Sequence, residues 1–169
     1  WLFCLLENFG GNVGLHGRMD QLLNNFYLAT GKKDTPKQEN SSLLTLHSSL
    51  KGWGFTMEGS ENNPVMFELM SELPWRAEKI TKEDWIKEYC YARYGVHDAT
   101  IEKAWTLLAQ SIYNCPKGNI QQGTHESIFC ARPSQNCYQV STWSLMSNYY
   151  DPEDTRQAAI LLTSVAEKY

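Results

Sequence analysis

The chain is short of the features that mark metal, membrane and nucleic-acid proteins. Its five cysteines (4, 90, 115, 130, 137) include no CxxC pair and show no metal-ligand spacing. The histidines at 16, 47, 97 and 125 are not spaced for a metal site or a catalytic triad. No metal or cofactor is therefore expected. No apolar run is long enough to span a membrane, so no membrane partner is expected either. Fifteen basic residues stand against 19 acidic ones, and the net charge of −4 argues against a nucleic-acid footprint. No signal peptide is visible. No strand-like run follows about residue 60.

What is present is the composition of a folded protein: 42% apolar residues and six tryptophans. The stretch that organises the chain is Gly52–Leu73, GWGFTMEGSENNPVMFELMSEL. Trp53 to Met57 is an apolar and β-branched run between glycines, which predicts a buried strand. Glu58 stands where that run stops. Asn62 or Asn63 is placed to cap a helix and Pro64 to occupy its first turn. Val65, Met66, Leu69, Met70 and Leu73 recur at helical spacing until Pro74.

The same rhythm precedes it. Trp1 to Leu6 predicts a buried strand, and Glu7, Asn8, Phe9, Gly10, Gly11 and Asn12 follow at its end. The paired glycines allow a sharp turn or a close approach of backbone to a ligand. Met19, Leu22, Leu23 and Phe26 predict one face of a helix. Residues 30–42 read as a polar loop, and 43–50 as a short helix. Strand, loop, helix, repeated, is the signature of an α/β unit with parallel strands.

Beyond Pro74 the pattern becomes helical throughout. Thr81 to Asp84 resembles a capping box with Asp in place of Glu. Trp85, Ile86, Tyr89 and Cys90 follow, with Gly95 as the stop. A second helix is predicted over 99–113, with Ile101, Ala104, Trp105, Leu108 and Ile112 apolar. Residues 114–141 read as a long loop. Asp151 and Pro152 open a last helix whose buried face is Ala158, Leu161, Leu162 and Val165. The domain division expected from this change is 1–76, α/β, and 77–169, all-α. The chain begins inside an apolar run and closes inside a helix, and the expectation is a fragment of a longer protein.

Glu7 and Glu58 thus end two successive strand candidates. A pair of carboxylates is the usual equipment for cleaving a glycosidic bond, one as acid and one as nucleophile or base. A carboxylate at a strand end also serves as a surface charge or loop organiser. The tryptophans at 1, 53, 75, 85, 105 and 143 are able to stack on sugar rings, although 85 and 105 fall on helical apolar faces. Cys130 and Cys137 either close a short loop or remain free thiols. Asn40-Ser41-Ser42 is a glycosylation sequon.

Leu5-Leu6-Glu7-Asn8-Phe9-Gly10-Gly11-Asn12, Met57-Glu58-Gly59, Asn62-Asn63-Pro64 and Leu69-Met70-Ser71-Glu72-Leu73 closely resemble the α-N-acetylglucosaminidases, family 89 of the glycoside hydrolases. The resemblance continues through Ala92-Arg93-Tyr94-Gly95, Ala104-Trp105 and Tyr113-Asn114-Cys115, in order, over nearly the whole chain. It implies the C-terminal part of a (β/α)8-type barrel followed by the start of an α-helical domain. It implies a retaining exo-glycosidase that releases terminal α-linked N-acetylglucosamine from glycans, with Glu58 as nucleophile. The general acid/base of the family lies upstream of Trp1, so the isolated chain is expected to be inactive. The alternative is a non-catalytic carbohydrate-binding or structural piece of such a barrel.

Glu7 departs from the histidine that many members carry there, which makes Asn8 the better candidate for a sugar contact. Gly10, Gly11, Glu7 and Trp53 complete the expected substrate-binding set. The implied partner is a glycan with terminal α-N-acetylglucosamine. The implied location is extracytoplasmic, either periplasmic or secreted in a bacterium, or lysosomal in an animal.

Overall fold

Leu2 pairs with Gly52 and, five steps on, Glu7 pairs with Met57: β1 (Leu2–Glu7) and β2 (Gly52–Met57) form a parallel ladder that starts and stops level. The computed structural model describes residues 1–7, 14–32, 50–57, 62–116 and 149–169. The expected loop and short helix over 33–49, and most of the loop expected over 114–141, lie outside the described residues.

Each strand is followed in the chain by a helix. α1 (Met19–Thr30) buries Met19, Leu22, Leu23, Phe26 and Ala29, the stripe its period predicts, and ends at Gly31 in the left-handed region (φ 69°). α2 (Pro64–Glu72) buries Val65, Met66, Leu69 and Met70. A 3-10 turn, Leu73–Trp75, follows it. Both helices pack on β1, and α1 also touches α3 (Lys82–Tyr94).

α3 begins as its sequence predicts. Thr81 Oγ1 accepts from the Asp84 N–H at 3.1 Å and donates to Asp84 Oδ2 at 2.8 Å. Trp85, Ile86, Tyr89 and Cys90 are buried, and Gly95 closes the helix at φ 73°. α4 (Ala99–Gln110) is capped by Asp98, whose Oδ1 accepts from the N–H groups of Thr100 and Ile101. α5 (Pro152–Val165) is capped by Asp151, which accepts from the Glu153 N–H, and packs along α4. One apolar core joins all five helices to Leu5. Each large side chain fully withdrawn from water there contributes about 1.5–3 kcal/mol before entropy is counted.

The structure corrects the sequence reading at four points. Both strands were expected to be buried, yet Leu2, Cys4, Leu6, Trp53, Phe55 and Thr56 are exposed. Among the described residues the sheet has two strands, and helices cover only one of its faces. The helix expected over 99–113 ends at Gln110, because Ser111 leaves helical geometry (φ −107°, ψ −94°). On α5 only Ala158 is fully buried, while Leu161, Leu162 and Val165 are half-buried. That helix lies on the outside of α4 and meets it along one stripe. Finally, Asn63 precedes α2 at φ 54° but its side chain does not cap the helix.

Candidate active site

In a parallel sheet of strand–helix units, loops leaving the C-terminal ends of the strands gather the chemistry. Here the two ends stand side by side. The alternation of side chains tells which residue faces where. Phe3 meets Phe26 of α1 edge-on at 5.6 Å, Phe55 meets Phe67 of α2 at 5.7 Å, and Trp53 meets Trp75 at 6.1 Å. Odd-numbered positions of both strands therefore face the helices. Even-numbered positions share the other face: a Cβ on Gly54 would lie 4.0 Å from Cys4 Sγ, and one on Gly52 would lie 3.4 Å from Leu2 Cδ2.

This distinction sorts the expected site residues. Glu7 is on the helix side, buried, at the C-terminal end of β1. Trp53 is on the same side, half exposed, against Trp75. Glu58, Asn8, Gly10 and Gly11 lie outside the described residues.

Glu7 opens onto a buried polar cluster that the helical part completes. Burial pushes the Tyr113 phenol well above its usual range, and the Glu7 charge adds to the shift. The Tyr149 phenol is pushed up in the same way, first by burial and then by Cys115, Tyr150 and Glu7. Both shifts favour the protonated phenol. Tyr149 donates to the Ile112 carbonyl. His16, buried, lies edge-on to Tyr149 with Nδ1 3.1 Å from its hydroxyl oxygen. The His16 backbone N–H donates to Asn63 Oδ1 at 3.0 Å, and Asn63 Nδ2 donates to the Gly14 carbonyl at 3.0 Å.

The backbone around Gly17 is held as closely. The Cys115 N–H donates to the Gly17 carbonyl at 2.8 Å, and the Met19 N–H to the Tyr113 carbonyl at 2.9 Å. Arg18 Nε donates to the Cys115 carbonyl at 3.1 Å. The N-terminus of α1 lacks a local side-chain cap. Asn114 serves instead, accepting from the Asp20 N–H at 3.4 Å and donating to Asp20 Oδ2 at 2.8 Å.

His16, Asn63, Tyr113, Asn114 and Tyr149 were not singled out by sequence as a cluster. They are separated by up to 133 positions, and a lone histidine carries no spacing signal. Among the described residues no group of three or more His, Cys, Asp or Glu side chains is arranged to hold a metal ion. No described helix is long and apolar enough to cross a membrane.

Two strand–helix units with parallel strands, followed by a run of helices, are the layout of a barrel-type domain joined to a helical domain. The tim-barrel domain model of alpha-N-acetylglucosaminidase (NAGLU) matches residues 1–77, and the C-terminal domain model of the same family matches residues 85–169. The chain belongs to the alpha-N-acetylglucosaminidase family. It is 32% identical to human (Homo sapiens) alpha-N-acetylglucosaminidase over 166 residues, which is 97% of this chain and 20% of the relative. The chain thus spans about one fifth of that protein's length.

Solved structures of a family 89 glycoside hydrolase from Clostridium perfringens share the fold. The complex with PUGNAc aligns over 100% of this chain and 18% of its own, with a TM-score of 0.80 and 25% identity. The complex with 2-acetamido-1,2-dideoxynojirmycin aligns over 100% and 17%, with a TM-score of 0.77 and 24% identity. A form with two glutamates changed to glutamine, in complex with its substrate GlcNAc-alpha-1,4-galactose, aligns equally well at 0.77.

Proposed function

We propose that the chain is a segment of a retaining exo-glycosidase that hydrolyses terminal α-linked N-acetylglucosamine from glycans. In this reading residues 1–76 supply the last strands and helices of the catalytic barrel, and 77–169 begin the helical domain. Its place of work is extracytoplasmic, where such glycans are met.

The observation that carries it is the level ending of β1 and β2. The family's nucleophile motif, Met57-Glu58-Gly59, begins on the last residue of β2, beside the Glu7 that ends β1. Positions 4 and 6, like 54 and 56, are on the face turned away from the helices, which in a barrel is the interior. Glu58 is the proposed nucleophile, and Asn8 with the Gly10-Gly11 turn the proposed sugar contact. Glu7 and Trp53 have the opposite parity and support this edge from the helix side. Glutamine at two glutamates in a relative that holds intact substrate is the pattern expected of a two-carboxylate mechanism.

The test is an assay of the full-length protein on a synthetic aryl α-N-acetylglucosaminide, with Glu58→Gln beside it. Turnover lost on substitution, with the melting temperature and inhibitor binding retained, supports the reading. A full-length protein that binds N-acetylglucosamine without turnover makes it a carbohydrate-binding protein and overturns the proposal.

A further inference from the structure

The family matches cover residues 1–77 and 85–169, and at the join between them residues 76–81 belong to neither helix nor strand. Such joins are ordinarily exposed and flexible, and the domains they connect move relative to one another. This one is held along its length by α1, a helix of the barrel part. Lys32, just past the end of α1, donates from Nζ to the carbonyl of Leu73 at 3.4 Å and to that of Arg76. Tyr27 takes both main-chain groups of Ile80. Its hydroxyl accepts from the Ile80 N–H at 2.9 Å and donates to the Ile80 carbonyl at 3.1 Å. Asp20 pairs with Lys82 Nζ at 2.7 Å.

The contacts fall in order, so the segment runs antiparallel to α1. Asp20 and Tyr27 stand about two turns apart and share one face of the helix. Each contact answers a physical need. An irregular segment has no ladder to satisfy its main-chain groups, and Tyr27 supplies both partners of Ile80. Lys82 opens α3, where a cation meets the positive end of the helix dipole, and the Asp20 carboxylate offsets it. Lys79 Nζ closes over the Tyr27 ring, 5.2 Å from its centroid. α1 is also tied to the helical part directly. Its Met19 N–H donates to the Tyr113 carbonyl, and Met19 and Phe26 share one apolar core with Trp85 and Tyr89.

We infer that α1 is a splint for the join: it holds the stretch from Leu73 to Lys82 against the barrel part, and the boundary between the two parts is not a hinge.

The experiment uses the full-length protein and trypsin under native conditions, with the cuts located by mass spectrometry. Arg76 and Lys79 are tryptic sites within the join, and Lys103, exposed on α4, is the reference site. A bond is cut after local opening, so the ratio of the two rates reports how readily the join opens compared with a helix. In the wild type, cleavage after Lys79 is expected to be no faster than after Lys103. Tyr27→Phe keeps the ring and removes both hydrogen bonds to Ile80. It should raise the Lys79 to Lys103 ratio about tenfold, the equivalent of one lost hydrogen bond. Lys32→Met should do the same for cleavage after Arg76.

General destabilisation speeds both sites together. Ratios unmoved in both variants, or a wild-type join cut faster than Lys103, overturn the inference. Hydrogen exchange of the wild type needs no variant: the Ile80 amide should be protected as an α3 amide is, and an Ile80 amide exchanging as fast as in an unstructured peptide overturns it as well. Neither readout uses turnover, so the functional reading stands or falls separately.

Discussion

The indole of Trp85 donates its Nε1–H to Glu72 Oε2 at 2.9 Å, and the same oxygen accepts from Arg76 Nη2 at 2.8 Å. One carboxylate thus fastens the end of α2 to the first turn of α3, across the segment where the α/β pattern gives way to helices. Arg76 is held a second time by Glu88 at 2.6 Å. Behind this polar edge, Trp85 is fully buried and stacks on Tyr89 with ring centroids 5.1 Å apart.

The two contributions of Trp85 separate by substitution. Trp85→Ala empties a closed site and should cost about 3–5 kcal/mol. Trp85→Phe keeps most of the apolar contact and loses the hydrogen bond, and Glu72, half in water, is not left stranded. A loss of about 1–2 kcal/mol is expected. Urea unfolding of the full-length protein measures both. Equal losses for the two variants would mean that the hydrogen bond, not the packing, dominates.

Among the described residues, Gly17 is a glycine whose missing side chain the packing demands. A Cβ there would stand 2.5 Å from Met66 Sδ and 2.9 Å from Tyr113 Cδ1. The Met66 thioether can swing aside, but the Tyr113 ring is pinned by its own buried surroundings. Gly17→Ala should therefore destabilise by about 1–3 kcal/mol. The same change should loosen the hydrogen bond from the Cys115 N–H to the Gly17 carbonyl, read as faster amide exchange at Cys115. Unchanged exchange and an unchanged melting point would show that the packing around Gly17 has room to spare.

The elements were legible where the signal was local. Periodicity placed α1 to α5, and caps at Thr81, Asp98 and Asp151 formed where short polar side chains precede acidic first turns. Burial of the strands was not legible, because an apolar run reports what a strand prefers, not which layers reach it. Asn63 shows the limit most clearly. It stands where a cap belongs, but the competing demand of the Gly14 carbonyl and His16 N–H takes both ends of its amide. The cap of α1 comes from Asn114, 94 positions away, and no window of sequence holds that relationship. The His16–Tyr149 pair is hidden for the same reason, whereas the Met57-Glu58-Gly59 motif is contiguous and readable.

Acid should loosen the helical part before the barrel edge. Arg156 and Gln157 bond the Glu153 carboxylate and hold its pKa at about 2, below the usual 4.5. Lys168, Tyr169 and the N–H groups of Thr100 and Ile101 hold Asp98 well below its usual range too. A depressed folded-state pKa means that the stabilisation is present above the unfolded value and is lost as pH falls through the folded one. For Glu153 that window runs from about 4.5 down to about 2. Melting temperatures between pH 6 and pH 2 should fall along this limb. Glu153→Gln should flatten it while changing little below pH 2. A limb of identical slope in the variant would assign the acid sensitivity to other groups.

The reaction itself gives the sharpest test of Glu58. It follows Met57, the last residue of β2, which pairs with Glu7 at the end of β1. In the proposed reaction Glu58 attacks the anomeric carbon from the face opposite the departing alkoxide, and the C–O bond to the leaving group breaks as a β-glycosyl ester forms on Glu58, with an acid that the family resemblance puts upstream of Trp1 protonating the leaving oxygen. In the proposed second step the same acid, now a base, takes a proton from water as the ester is cleaved, and the sugar is released with its α configuration. This double displacement needs the two carboxyl groups about 5–5.5 Å apart, against about 6.5–9.5 Å for inversion. Glu58→Gln keeps size and shape and should bind substrate without forming the ester. Glu58→Gly leaves space that azide can fill, and with added azide it should release a β-glycosyl azide. The decisive measurement is proton NMR of the first sugar formed by the full-length enzyme from an α-linked substrate. α-N-acetylglucosamine appearing first is the expected outcome. β-N-acetylglucosamine first would mean inversion by direct attack of water, and Glu58 would then be at most the base that activates it.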